Sequence, residues 1–336
     1  MKVCMVAPWG RWVRCGIRSY SESLAKALAL KGVDVYVARL PRFGILAEGV
    51  LQNLVDSIPR DVDLVHVQYE YGLFKNLDVP FFRALSKVGL PVVTTLHSVG
   101  DWEKDEAAIS TSSKVIVHNR FCYRRLNRRE KAVIIPHGCT PVETDPPEEC
   151  KRRLGIDPRI PIVGYLGFIS RYKGLETLIE AMRGVKEAAL LIAGGYHVEP
   201  GTRYIDRLKE VSLKLLPGRC LWLGYVPDER LSTVYGSFTI EVYPSRLCTE
   251  SGALITALAH GKAVIASDLP PMREKAKMGA LMTFRSVSDL RGKIRKLLSD
   301  DALRSRLEEA ARRYAESVKW YPNIAEKHIA LYREVL

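Results

Sequence analysis

The 336-residue chain has no run of about 18 apolar residues, so no helix of the usual kind spans a membrane. Its first apolar stretch, MKVCMVA, is short and soon interrupted by Pro8, so it reads as a first strand rather than a leader. A soluble, cytoplasmic protein is expected. The seven cysteines (Cys4, Cys15, Cys122, Cys139, Cys150, Cys220 and Cys248) are odd in number, scattered and without a C-x-x-C pair. That argues against a disulfide framework and against a structural zinc. No G-x-G-x-x-G follows residues 3–7, which disfavours a dinucleotide dehydrogenase, and no G-x-x-x-x-G-K-[ST] loop occurs anywhere. Low-complexity segments are lacking too, and the 24 Gly and 18 Pro are ordinary numbers for this length. Neither half is a charged tail. The net charge of +13 divides evenly, with 20 basic and 14 acidic residues up to 144, and 31 and 24 beyond it.

What is present is an alternation. Short apolar, β-branched runs at 3–7, 33–38, 64–67, 91–96, 114–118 and 132–135 read as strands. Amphipathic stretches lie between several of them, clearest at 19–30, where Leu24, Ala27, Leu28 and Lys31 keep a helical period. Strands this apolar imply a parallel sheet covered on both faces, a doubly wound α/β domain. Residues 140–149, TPVETDPPEE, are rich in proline and acid and read as a linker. The alternation then restarts, with strands expected at 162–166, 189–193, 221–223, 238–242 and 263–266. Helices are expected at 174–182, 204–215, 229–235 and 251–260, with further helical periods at 289–314 and 320–336. The expected organisation is two similar α/β domains, 1–145 and 146–318, facing a cleft, followed by a C-terminal helix at 319–336. Ligands in such sheets bind beyond the carboxyl ends of the strands.

Two segments carry candidate chemistry. In G164-Y-L-G-F-I-S-R-Y-K-G174 a strand ends in glycine, a short loop brings Arg171 and Lys173, and Gly174 opens a helix. Helix N-terminal N–H groups beside cations suit an anion, commonly phosphate; the plainer reading is a turn with two solvated cations. In Y243-P-S-R-L-C-T-E-S-G252 a strand runs into a helix that begins with Glu250, Ser251 and Gly252. A carboxylate there can accept hydrogen bonds from sugar or ribose hydroxyls, and helix capping is the plainer alternative. Asp61 and Asp63 form a D-x-D pattern, but they precede strand 64–67 and so sit at the wrong end of a parallel sheet for a site. No catalytic metal is expected.

In this order and spacing the segments resemble the donor half of retaining GT-B glycosyltransferases of family four, the glycosyl transferases group 1. The matching pieces are Gly167, Arg171 and Lys173-Gly174; Leu223-Gly224-Tyr225-Val226-Pro227; Leu231 and Tyr235; Tyr243-Pro244-Ser245; Glu250 and Gly252; and Ala257-Leu258-Ala259-His260-Gly261-Lys262. The N-terminal half is similar more loosely, through Pro8, Gly16-Ile17, the Leu24, Leu28 and Gly32 spacing, and strand ends at His66-Val67-Gln68, Thr95-Leu96-His97 and Ile135-Pro136-His137-Gly138. The resemblance implies a GT-B fold of two Rossmann-like domains, with the C-terminal helix crossing back onto the first through Trp320, Ile324, Ile329 and Leu331.

It further implies transfer of a sugar, with retention, from a nucleotide-sugar such as a UDP- or GDP-sugar to an acceptor hydroxyl, with no cofactor besides that co-substrate. Lys173 and Arg171 would hold the diphosphate and stabilise its departure. Glu250 would contact the donor sugar, the Ser251 and Gly252 N–H groups the phosphates, and Tyr225 and Val226 the base. His97 would stand near the reacting sugar, and Gly16 would let the N-terminal loop approach the phosphates. Superposing the A-x-A-x-G pieces puts Thr256 where the family carries its second glutamate and Cys248 where it carries its first. Phe168 falls near its usual arginine. A nucleotide-sugar epimerase, or a non-catalytic nucleotide-sugar binder, are the alternative readings.

For the acceptor, the cluster Arg120, Arg124, Arg125, Arg128, Arg129 and Lys131, with Arg11, Arg14 and Arg18, suits a phosphorylated or lipid-linked molecule at an anionic membrane surface. A solvated helix face is the plainer reading. No nucleic-acid motif accompanies the cluster, so no nucleic-acid partner is expected.

Overall fold

The computed structural model describes all residues except 11, 12, 14, 42–47 and 196–201. Arg11 and Arg14 therefore lie outside the described residues. The chain divides into two compact units, Met1–Gly138 with Val318–Leu336, and Cys139–Ser317.

The first unit is built on strands β1 (Lys2–Ala7), β2 (Asp34–Arg39), β3 (Leu64–Tyr69), β4 (Val92–Leu96), β5 (Lys114–Val117) and β6 (Ala132–Ile134). They pair in parallel throughout, in the order β2-β1-β3-β4-β5-β6. β3 and β4 are buried at every residue, as strands covered on both faces must be, whereas β2, at an edge, alternates exposed and half-buried positions. Beyond Gly138 the chain leaves this unit and returns at Val318. The returning helix, Ala325–Val335, buries Ile329, Leu331 and Tyr332. Trp320 packs edge-on to Tyr20 of helix Gly16–Ala29, with ring centres 4.8 Å apart, and a Cβ on Gly138 would collide with its indole. The absence of a side chain at 138 is what lets the tryptophan close over the strand end.

The second unit repeats the plan with β7 (Ile162–Leu166), β8 (Ala189–Ala193), β9 (Cys220–Gly224), β10 (Ile240–Tyr243), β11 (Val264–Ser267) and β12 (Met282–Phe284). All pair in parallel, in the order β12-β11-β10-β7-β8-β9. Chain order runs outward from β7 on one side and from β10 on the other. The loops after these two strands therefore diverge and leave a crevice at the switch point.

Four local expectations change. The periodic stretch 289–314 is two helices, Val287–Ser299 and Asp301–Ser317, because Asp300 leaves the first and its Oδ1 accepts the Leu303 N–H at 2.8 Å to cap the second. The acidic linker is helical from Pro147, whose missing N–H costs nothing at a first helical position. The final segment is regular only from Ala325, since Tyr321 has an extended backbone. β12, three residues at an edge, is too short to announce itself by alternation.

Candidate functional site

The two candidate loops of the second unit flank its switch point. After β7, Gly167 turns away and residues Arg171–Lys173 form one 3-10 turn before helix Leu175–Arg183. Gly174 sits at φ 65°, and a Cβ there would strike the Pro244 carbonyl oxygen at the end of β10. That close approach joins the loops, reinforced by the Arg246 N–H donating to the Tyr172 carbonyl at 2.8 Å and by an Arg246–Glu176 ion pair at 3.2 Å. Arg171 lies over the Tyr204 ring and Lys173 over Tyr172, at 5.2 and 4.9 Å from the ring centres. Neither cation has a carboxylate within ion-pair distance among the described residues. Ser170 Oγ, immediately before them, is buried without a hydrogen-bond partner. Two cations, a hydroxyl with no partner among the described residues and a helix start are brought together at one edge, a combination whose charge and donors suit an anion.

Tyr225 and Val226 follow β9 on the same side. Gly194 and Gly195, directly after β8, stand between: a Cβ at Gly194 would meet the Gly167 carbonyl, and one at Gly195 would come within 3.3 Å of the Tyr225 Cβ. Tyr225 is 41% exposed.

At the start of helix Gly252–Ala259 the side chain of Ser251 accepts the Leu254 N–H at 3.3 Å, an N-cap. Glu250 is buried. Its Oε1 accepts the Ser251 N–H at 2.9 Å and its Oε2 takes a 2.8 Å ion pair from Lys275, on helix Pro270–Lys277. Burial opposes the Lys275 charge, but Glu250, then Tyr314, outweigh it and hold the ammonium above the ordinary lysine range. The carboxylate expected to contact a sugar is thus engaged by the protein itself. Thr256 turns inward, donating to the Gly252 carbonyl at 2.9 Å. Lys275 has no signal in the sequence, because 25 residues and a strand separate it from its partner. Cys248, pushed up to about 11 by burial, with Lys173 opposing and Glu250 assisting, stays a thiol.

Gly16 and His97 belong to the first unit. Gly16 opens helix Gly16–Ala29 and is exposed, with nothing near the place of a Cβ. His97 directly follows β4, its N–H donating to the Tyr69 carbonyl. Its Nε2 lies 3.0 Å from Gln68 Oε1 and its Nδ1 3.4 Å from His118 Nε2, while the Tyr20 ring meets it edge-on at 4.7 Å. Burial first, then His118, His137 and His66, hold this imidazole well below its usual range, so it is neutral at pH 7. Four of the five histidines in this unit, all but His328, come from strand ends that the sequence marks. Their meeting, and the part of Gln68, depend on strand order.

The basic cluster does not form one face. Lys131 Nζ caps helix Trp102–Thr111, donating to the carbonyls of Ile109, Ser110 and Ser112. Arg129 donates to the carbonyls of Leu126 and Arg124, and Arg128 pairs with Glu106 and Glu130. Arg18 pairs with Glu22 at 3.0 Å. Arg124 and Arg125, in helix Arg120–Arg125, remain exposed; Arg125 and Trp102, the latter 67% exposed, border the same depression of about 150 Å³. Asp61 and Asp63 are bound by Lys2, through its Nζ and backbone N–H, at the amino end of β3.

The chain spans about half the length of the curated relatives it matches. It is 30% identical over 219 residues to a D-inositol 3-phosphate glycosyltransferase of Corynebacterium jeikeium, covering 60% of this chain and 51% of that protein. Over 181 residues it is 29% identical to the sulfoquinovosyl transferase SQD2 of Arabidopsis thaliana, covering 52% and 34%. Among solved structures, sucrose-phosphate synthase from Thermosynechococcus elongatus superposes with a TM-score of 0.83 at 21% identity, over 99% of this chain and 98% of that one. Anabaena HepE in complex with UDP and glucose superposes at 0.81 and 17%, over the whole of both chains. At such identities the likeness carries the fold, a GT-B architecture of two Rossmann-like sheets. Residues 147–314, which hold both loops of the second switch point and the strands that present them, match the family described as glycosyl transferases group 1, and to that family the chain belongs.

Proposed function

We propose that this protein transfers a sugar, with retention and without a metal, from a nucleotide-sugar to an acceptor hydroxyl. The observation that carries the reading is an edge of the second unit where Arg171 and Lys173 have no carboxylate partner among the described residues, beside the Ser170 hydroxyl, which has no hydrogen-bond partner among them, and the start of helix Leu175–Arg183. A nucleoside diphosphate supplies the matching charge. Lys173 and Arg171 hold the diphosphate and stabilise the charge that builds on it as the sugar–oxygen bond breaks, which is electrostatic positioning rather than covalent chemistry. The Ser251 and Gly252 N–H groups add to the phosphate site, Glu250 contacts the donor sugar, and Tyr225 and Val226 receive the base. The two curated relatives named above, both glycosyl or sulfoquinovosyl transferases, support the reaction class.

Thermal stabilisation by UDP, GDP and ADP and their sugar conjugates, without metal, tests this. A nucleotide at 100 times its dissociation constant adds about 2.7 kcal/mol, and Lys173→Ala should abolish the shift. Stabilisation by no nucleotide would overturn the proposal. Binding with intact donor whatever the acceptor would instead identify a binder.

For the acceptor, we propose a phosphorylated or lipid-linked molecule met at an anionic surface by Arg124, Arg125 and the exposed Trp102. Co-sedimentation should be stronger with anionic than with neutral vesicles at 0.1 M salt, and Arg124→Glu with Arg125→Glu should remove the difference. Equal sedimentation on both vesicles would rule it out.

A further inference from the structure

The histidines of the first unit sit in a line of polar contacts. Tyr332 OH is 2.7 Å from His66 Nδ1, and His66 Nε2 lies 2.8 Å from Thr95 Oγ1 and 3.2 Å from one end of the Gln68 amide. The other end of that amide is 3.0 Å from His97 Nε2; His97 Nδ1 is 3.4 Å from His118 Nε2; His118 Nδ1 is 2.9 Å from the Ile135 carbonyl. All of these residues belong to one unit.

Proton bookkeeping fixes the direction of the line. The Ile135 carbonyl can only accept, so His118 carries its proton on Nδ1, and its Nε2, when neutral, is bare. With Gln68 Oε1 toward His97, the proton of His97 would lie on Nε2, leaving two bare nitrogens facing each other between His97 and His118. A second proton on either ring would relieve that, but burial and the neighbouring imidazoles of His66 and His137 oppose a cation here. Turning the amide by 180° removes the facing pair of bare nitrogens, since its NH2 and carbonyl ends occupy the same places, and the His66 Nε2 proton then points between the Gln68 oxygen and Thr95 Oγ1.

We propose that Gln68 is a positioning residue whose amide NH2 donates to His97 Nε2, holding His97 as the Nδ1–H tautomer. The line then runs one way: Tyr332 O–H to His66 Nδ1, His66 Nε2–H to the Gln68 oxygen, the Gln68 NH2 to His97 Nε2, His97 Nδ1–H to His118 Nε2, and His118 Nδ1–H to the Ile135 carbonyl. Each neutral group gives one proton and receives one. The helix Ala325–Val335, through Tyr332, is thereby wired to the residue that follows β4. The inference rests on the proposed function only for what His97 does. Its geometry and its test need no substrate.

The experiment is a 15N spectrum of the imidazoles of the full chain at pH 7, with His97 assigned by its loss in His97→Asn. His97 and His118 should both appear as Nδ1–H tautomers, and His66 as Nε2–H. In Gln68→Glu the carboxylate can only accept, so His97 Nε2 should gain a proton, either by tautomer exchange or as imidazolium. Tyr332→Phe should leave His97 unchanged, because the Ile135 end sets the direction. An Nε2–H or doubly protonated His97 in the unaltered protein would overturn the proposal, as would a Gln68→Glu spectrum in which His97 keeps its tautomer. If that variant fails to fold, the unaltered protein decides alone. Failure of nucleotide binding would leave the spectrum, and this inference, untouched.

Discussion

Replacing Lys275 by methionine should destabilise the second unit by about 3–5 kcal/mol, the cost of stranding one member of a buried ion pair. The Lys275 and Glu250 side chains are only 4% and 6% exposed, and 2.8 Å separates their charged atoms. Little water reaches the place of the lost ammonium, and Glu250 also accepts the Ser251 N–H. Hydrogen exchange of amides in β10 and helix Gly252–Ala259 reports on this unit alone, which a whole-chain melting curve of two units does not. Lys275→Met combined with Glu250→Leu should recover most of the loss, because removing both charges removes the desolvation as well. A single-variant loss below about 1 kcal/mol, the level of a solvated surface pair, would mean that the pair is not held in solution. The double variant also bears on the site. If it folds and binds a nucleotide-sugar as tightly as the unaltered protein does, Glu250 serves the loop rather than the donor sugar.

A second expected result concerns pH. Glu241, in β10 of the same sheet, is fully buried, and burial pushes its carboxyl up to about 8 from an ordinary value of 4.5. The Tyr243 hydroxyl shows why a proton suits this place. It lies 2.7 Å from Glu241 Oε1, 2.8 Å from the Ala253 carbonyl and 3.2 Å from the Leu166 carbonyl, three oxygens for a single hydroxyl proton. A protonated Glu241 donates to the Tyr243 oxygen and frees the phenolic proton for the Ala253 carbonyl, tying β10 to the start of helix Gly252–Ala259. Because the folded-state value is the higher one, this contribution is complete below pH 4.5 and is lost as pH rises through 8. At about 1.4 kcal/mol per pH unit, the loss is on the order of 4–5 kcal/mol by pH 9. Glu241→Gln keeps the shape without the titration. Its urea stability should therefore stay flatter from pH 5 to 9 and exceed that of the unaltered protein at pH 9. Parallel pH profiles for the two proteins would show that Glu241 is ionised at neutrality, with Lys262 as its compensating charge.

These two residues illustrate where sequence reading stops. Glu241 and Tyr243 are two apart on a strand and so share a face, which the period of two makes legible. That their face is dry, and that two backbone carbonyls from β7 and the helix meet the same hydroxyl, depends on β7 lying beside β10. Glu250 and Lys275 lie on elements that β11 separates in the chain, and no period relates them. The basic residues from Arg120 to Lys131 look alike in one dimension. Lys131 is drawn to the end of helix Trp102–Thr111 by carbonyls that helix leaves unpaired, whereas Arg124 and Arg125 stay at the surface.

By itself the sequence determined the repeated strand–helix alternation, the parallel doubly wound sheets, the buried anchors of the C-terminal segment and the loop that presents Arg171 and Lys173. All of these follow from local rules: apolar period, strand length, and glycine where the backbone turns. Only the tertiary structure decided that Lys275 engages Glu250, that Glu241 is buried where a proton is favoured, and that histidines from three neighbouring strands and the loops after them, Gln68 and Tyr332 form a single line. Those outcomes turn on which remote elements become neighbours and on how completely water is excluded between them, and charge and tautomer follow from that exclusion.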